Sequence, residues 1–158
     1  MIEGSNPIAI APSNRILERE TMNVTPMKTL YVYLITVPIF FIIDLVWLGV
    51  VAKGFYQKHL GYLMRPQMNW VAAILFYLVF IIGIVIFAVR PALEFQSSMR
   101  ALVYGALFGF FAYATYDLTN LATVKDWPAI VTVVDLIWGT VLCGAVAWGS
   151  YVISNKIA

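Results

Sequence analysis

The chain predicts an all-α integral membrane protein, a four-helix up-down transmembrane bundle, on three observations. Hydrophobic residues make up 62% of the 158 residues and charged residues 11%, against about 45–50% and about 25% in soluble domains. Four apolar segments are long enough to cross about 30 Å of hydrocarbon, which takes roughly 20 residues at about 1.5 Å each. The connections between them are short, so consecutive helices run antiparallel. Mean hydropathy of +0.86 makes lipid the solvent for most of the surface.

Residues 1–26 mix Ser5, Asn6, Pro7, Pro12, Ser13 and Asn14 with charges of both signs and read as a disordered N-terminal tail. Met27 followed by Lys28 also reads as a translation start, which would make this tail an upstream extension. The transmembrane domain is expected over 27–158, with spans at 29–52, 69–89, 101–123 and 129–153.

The first span follows Lys28 and ends on Val50, Val51 and Ala52, like a secretory signal with its cleavage site. Its apolar run is longer than the roughly 7–15 residues of such a signal and includes Asp44, so it reads as a retained span. Pro38 inside it is expected to kink the helix or free a carbonyl near Leu34. Loop one, 53–68, mixes Phe55, Tyr56, Leu60, Tyr62, Leu63 and Met64 with Lys58, His59 and Arg65, which suits the headgroup layer. The third span carries GALFG at 105–109, and Gly139, Cys143 and Ala147 give the fourth a narrow side; both read as close-packing devices. Asp126 and Pro128 stand where a helix cap and a first-turn proline serve the fourth span.

Three of the eight acidic residues, Asp44, Asp117 and Asp135, lie inside spans, where each costs about 2.5–3.5 kcal/mol or more unless it faces a partner, a cavity or the bundle interior. Alternate loops share a membrane face, so depths can be compared. Asp44 stands roughly eight residues below the face of loops one and three, and Asp117 and Asp135 roughly six, or about 9–12 Å. Asn69 and Asn120 enter just above. One polar cluster built from all four helices is expected, with helices one, three and four meeting at the aspartates. DLVWLG at 44–49 and DLIWG at 135–139 repeat an Asp and a Trp three residues apart on one helical face. Tyr113, Asp117 and Asn120 share a face of the third span, with Tyr116 adjacent.

The expected ligand-binding residues are therefore Asp44, Trp47, Asn69, Tyr113, Tyr116, Asp117, Asn120, Asp135 and Trp138. Asp44, Asp117 and Asp135 are acid/base candidates, since carboxylates held close cannot all carry charge. Lys53, Lys58, His59, Arg65 and Lys125 form a basic rim for an anionic head. The competing reading makes the aspartates hydrogen-bonded fasteners between helices.

The net charge of +2, with no long basic run, argues against nucleic acid. Cys143 has no intrachain partner, His59 is the single histidine, and no loop has Mg²⁺ or Ca²⁺ ligand spacing, so neither metal nor cofactor is expected. No Ser/His/Asp order, GxGxxG or phosphate-binding loop occurs.

DLVWLG, YLM at 62–64, YDLTNLATVKDWP at 116–128 and DLIWG together resemble a family of short four-span predicted inner-membrane proteins of bacteria, a domain of unknown function. The likeness covers about 27–156. It implies a four-span fold and a bacterial membrane address, and it carries over no catalytic residue.

The sequence thus expects an integral membrane protein with an Asp-rich pocket opening to one membrane face. Membrane lipid is the expected partner, and a lipid-like or amphipathic small molecule the expected ligand, bound or also modified. The alternatives are a small proton-coupled transporter acting as a homodimer and an accessory or assembly subunit. Arg15, Arg19, Lys28, Arg90, Arg100 and Lys156 stand on the terminal side against Lys53, Lys58, Arg65 and Lys125 on the other, which places both termini in the cytoplasm by six to four. A start at Met27 makes the balance four to four, as dual insertion would.

Overall fold

A computed structural model describes residues 26–157; the expected tail therefore lies outside the described residues except for Pro26, which opens the first helix. Among the described residues there is no strand. Helix α1, Pro26–Val46, continues as a π-helical turn, Trp47–Val51. The short α2, Lys53–Leu60, follows on loop one. Helix α3, Trp70–Ile84, passes through a second π turn, Val85–Val89, into α4, Arg90–Glu94. Helices α5, Ser98–Thr123, and α6, Ala129–Ile157, complete the chain. Four continuous helical rods result, Pro26–Val51, Trp70–Glu94, Ser98–Thr123 and Ala129–Ile157, each long and apolar enough to cross a membrane.

Helix α1 runs unbroken through Pro38; its departure from α geometry comes instead at Trp47, one turn beyond Asp44. The second rod extends past residue 89 because Arg90 and Glu94 lie one turn apart and pair at 3.7 Å, each screening the other's charge. Ser97 starts the third rod by accepting the amide of Arg100 at 3.3 Å. The turn before it places Gln96 at φ 50°, while the Arg100 guanidinium covers the Phe95 ring at 3.7 Å.

Asp126 does not serve as the expected cap. It turns the chain at φ 59°, its carbonyl accepts the hydroxyl of Tyr62, and α6 begins only after Pro128. That hydrogen bond ties loop one to loop three, so both lie at one end of the bundle.

The tightest pair of helices is α5 with α6. A methyl group at Gly105 would strike the Cys143 carbonyl and the Ala147 side chain, and one at Gly109 would strike the backbone of Gly139. The two small-residue faces read from the sequence therefore face each other, and backbone meets backbone. Toward the terminal end an apolar core of Val32, Ile81, Ile84, Val85, Leu142 and Val146 joins the first, second and fourth rods. The fourth rod is the most enclosed, with 44% of its apolar window buried against 17% in the first.

On the outward side of α5 the hydroxyls of Thr115, Thr119 and Thr123 each return to the carbonyl four residues back, at 2.6 to 2.7 Å. Their polarity is satisfied within the helix, which suits a lipid-facing surface.

Candidate functional site in the loop half of the bundle

Each aspartate ends a buried stripe with a four-residue period. On α1 the stripe is Val32, Thr36, Phe40 and Asp44; on α5 it includes Ala101, Gly105, Gly109 and Asp117. On α6, Asp135 starts the row that runs through Gly139, Cys143 and Ala147 to Tyr151. Residues four apart lie on one helical face, so the packing that inserts the small residues also turns the carboxylates inward. Asp44 is 4% exposed, Asp117 0% and Asp135 9%.

Their partners differ. Tyr77, on α3, donates its hydroxyl to Asp44 Oδ2 at 3.0 Å. Tyr56, on α2, donates to Asp135 Oδ1 at 2.5 Å, and its own oxygen accepts Trp47 Nε1 at 3.3 Å. Trp47, Tyr56 and Asp135 thus form a directed chain joining three elements. Burial, followed by the hydrogen bond to Asp135, pushes the Tyr56 phenol above its ordinary value of 10.0, so this hydroxyl stays a donor. The indoles of Trp47 and Trp138 stack on one another, so DLVWLG and DLIWG meet through their tryptophans. Trp138 Nε1 is buried beside the Asp44 carboxylate.

Asp44 and Asp135 stand on the wall of one cavity of about 290 Å³, with Tyr56, Tyr77, Tyr113 and Trp138. Phe40, Leu48, Leu60, Met64 and Phe76 supply its apolar wall. A neighbouring space of about 360 Å³ shares Phe76, Tyr113 and Asp135 with the first and adds Phe80, Ala112 and Tyr116. Tyr113 reaches this position because Gly139 has no side chain beneath its ring.

The structure brings most of the sequence-derived cluster together. Asp44, Tyr113, Asp135 and Trp138 line the first cavity, Tyr116 lines the second, and Trp47 orients Tyr56. Asp117 is close enough to Asp135 for their charges to interact, but both of its oxygens are buried without a hydrogen-bond partner, as is Asn120 Nδ2.

Asn69 does not join the cluster. Exposed at the start of α3, it accepts the amide of Ala72 at 3.2 Å and acts as a helix cap. The expected basic rim stays outside the two cavities. Lys53, Lys58, Arg65 and Lys125 are exposed, His59 Nδ1 lies 2.9 Å from the Phe55 carbonyl of its own helix, and none of these five is on either cavity wall.

Sequence reasoning missed Tyr56 and Tyr77. Tyr77 carried a signal, a hydroxyl in the middle of apolar text; Tyr56 stood among interfacial aromatics that looked alike.

No curated protein and no solved structure matches the chain. A family model covers residues 29–152, bounds that take in all three aspartates and both hydroxyl partners. The chain therefore belongs to the family described as predicted membrane protein (DUF2177).

Proposed function

We propose that this membrane protein binds a lipid-like or amphipathic small molecule in the paired cavities of its loop half. One observation carries the reading: two carboxylates from different helices, each held by a tyrosine hydroxyl from a third element, share the wall of a mostly apolar space of about 290 Å³. Pockets for small molecules have this character, apolar walls with a few placed polar groups. Fasteners alone would be expected to close such a space with side chains.

The proposed setting is the bacterial inner membrane with both termini in the cytoplasm, on the slight excess of basic residues at the terminal side. The test is mass spectrometry of amphiphiles retained through maltoside extraction and purification. Wild-type protein should carry one that Asp44→Asn and Asp135→Asn lose and that Leu60→Trp, which fills the cavity, excludes. Equal retention by all four proteins sinks the pocket reading.

A second reading, a proton-coupled transporter acting as a dimer, draws on Asp117, a carboxylate without a hydrogen-bond partner beside Asp135. The position of the acids toward one face weighs against it, because transporter sites lie near the midplane.

A further inference from the structure

We propose that the head of the bound amphiphile is an organic cation, an ammonium group, seated between Asp44 and Asp135; this rests on the pocket reading above and names its ligand class. The wall of the first cavity holds two carboxylates, three phenols and an indole, and of the residues lining it none is Lys, Arg or His. Its electrostatics are therefore one-sided.

The hydroxyls of Tyr56 and Tyr77 already donate to the two carboxylates. What those groups still offer an incoming head is oxygen lone pairs. An anionic head would meet like charge and find the Tyr56 and Tyr77 hydroxyls engaged, whereas an ammonium meets opposite charge at short range. The rings of Phe40, Phe76, Tyr77, Tyr113 and Trp138 line the same space, and aromatic rings attract cations over their faces, most strongly where water is excluded.

Asp117 adds a third carboxylate behind the wall. It is fully buried, both oxygens lack a partner, and it stands within charge-interaction range of Asp135. Buried carboxylates without a counter-charge are costly. Among the described residues the ion pair formed is Arg90 with Glu94, and neither of those residues lines this cavity. Asp117 lines neither cavity, so a cation beside Asp135 acts on it only through that carboxylate.

The shape assigns the two ends. The head takes the first cavity, where both carboxylates stand. The tail takes the adjoining space of about 360 Å³, whose wall is Phe76, Phe80, Ala112, Tyr113 and Tyr116 apart from the shared Asp135. The exposed lysines and arginine of loop one and loop three stay in solvent and do not select the head.

The experiment compares three six-carbon probes that differ only in head: hexyltrimethylammonium, hexanesulfonate and hexanol. Each is titrated calorimetrically into the purified protein in maltoside micelles, with empty micelles as blank. The cation should bind at least tenfold more tightly than either other probe, and Asp44→Asn and Asp135→Asn should each lower its affinity about tenfold or more. The comparison of probes on wild-type protein needs no variant, so it stands even if a variant fails to fold.

If hexanesulfonate or hexanol binds as well as the cation and Leu60→Trp blocks them, the pocket remains and the cation assignment falls. If no probe binds, the pocket reading falls with it. Where the cation binds, added phosphatidylethanolamine that displaces it identifies a lipid headgroup as the source of the ammonium; binding unmoved by that lipid identifies a free amine.

Discussion

The indole rings of Trp47 and Trp138 lie face to face, 4.2 Å between centroids and 8° between planes. This contact locks the first rod to the fourth at the level of the aspartates, and Trp47 also fixes Tyr56 through its Nε1. An aromatic pair contributes about 0.5–1.5 kcal/mol beyond its burial, and the hydrogen bond about as much. Trp47→Leu keeps apolar bulk and loses both, so it should destabilise by about 1–3 kcal/mol in mixed-micelle unfolding and remove the near-ultraviolet circular dichroism of the stacked pair. An unchanged spectrum would show that the rings do not stack.

The glycines divide into two groups. A Cβ at Gly109 runs into the Gly139 backbone, which has no flexible end to swing aside, whereas one at Gly49 or Gly54 has nothing within 4 Å. Gly109→Ala should cost about 1–3 kcal/mol or more through forced separation of α5 and α6. Gly54→Ala, exposed and inside a helix, should be neutral or slightly stabilising. Thermal unfolding of the two variants side by side decides the matter.

Tyr77 is the donor that makes a buried Asp44 tolerable. Tyr77→Phe removes the tyrosine hydrogen bond to that carboxylate and should destabilise by about 1–3 kcal/mol. In the double variant with Asp44→Asn the loss should fall short of the sum, by about 0.5–3 kcal/mol of coupling. Strict additivity would mean that the 3.0 Å contact does not hold in the membrane.

The phenol of Tyr56 titrates above its ordinary value of 10.0, through burial and then through its bond to Asp135. A group whose proton is held more tightly in the folded state contributes stability that is present in full below its unfolded value and lost as pH rises through its folded one. Tyrosinate absorbance should therefore show Tyr56→Phe to be missing a phenol that ionises later than the exposed tyrosines. Stability differences between the variant and wild type should persist through neutral pH and shrink only in strong alkali. A phenol titrating with the exposed set would refute the buried bond.

Tyr62 bonded to the Asp126 carbonyl places loops one and three on one side. In a background where Cys143 is Ala, cysteines replacing Lys53 and Lys125 should be labelled by an impermeant maleimide from the same side of sealed vesicles, and a cysteine replacing Ser97 from the other. Labelling of all three from both sides indicates mixed insertion and favours the transporter reading.

The four rods were legible because composition and length alone specify a spanning helix. The inward set of the aspartates was legible too, since GALFG and the Gly139, Cys143 and Ala147 face lie on the same stripes as Asp117 and Asp135. Depth along a helix says nothing about direction around it, which is why Asn69 was misplaced. Its height matched, but a carboxamide at a helix start has an amide within reach and takes the cap. The partners of the carboxylates were hidden for a related reason. Which of the nine tyrosines turns inward depends on how the rods are rotated against one another, and on loop one folding into α2, and neither is written in any local run of residues.

The pairing of Asp44 with Tyr77 has a consequence for biogenesis. Both residues belong to the first helical hairpin, so the earliest acid to enter lipid can be hydrogen-bonded as soon as the second span leaves the translocation channel. Tyr56 instead waits for a carboxylate made 79 positions later on the chain. Docking of the late hairpin onto the early one is thus the step at which assembly quality is decided, and loss of the Tyr56 hydroxyl should send newly made protein to membrane proteases before any ligand is involved.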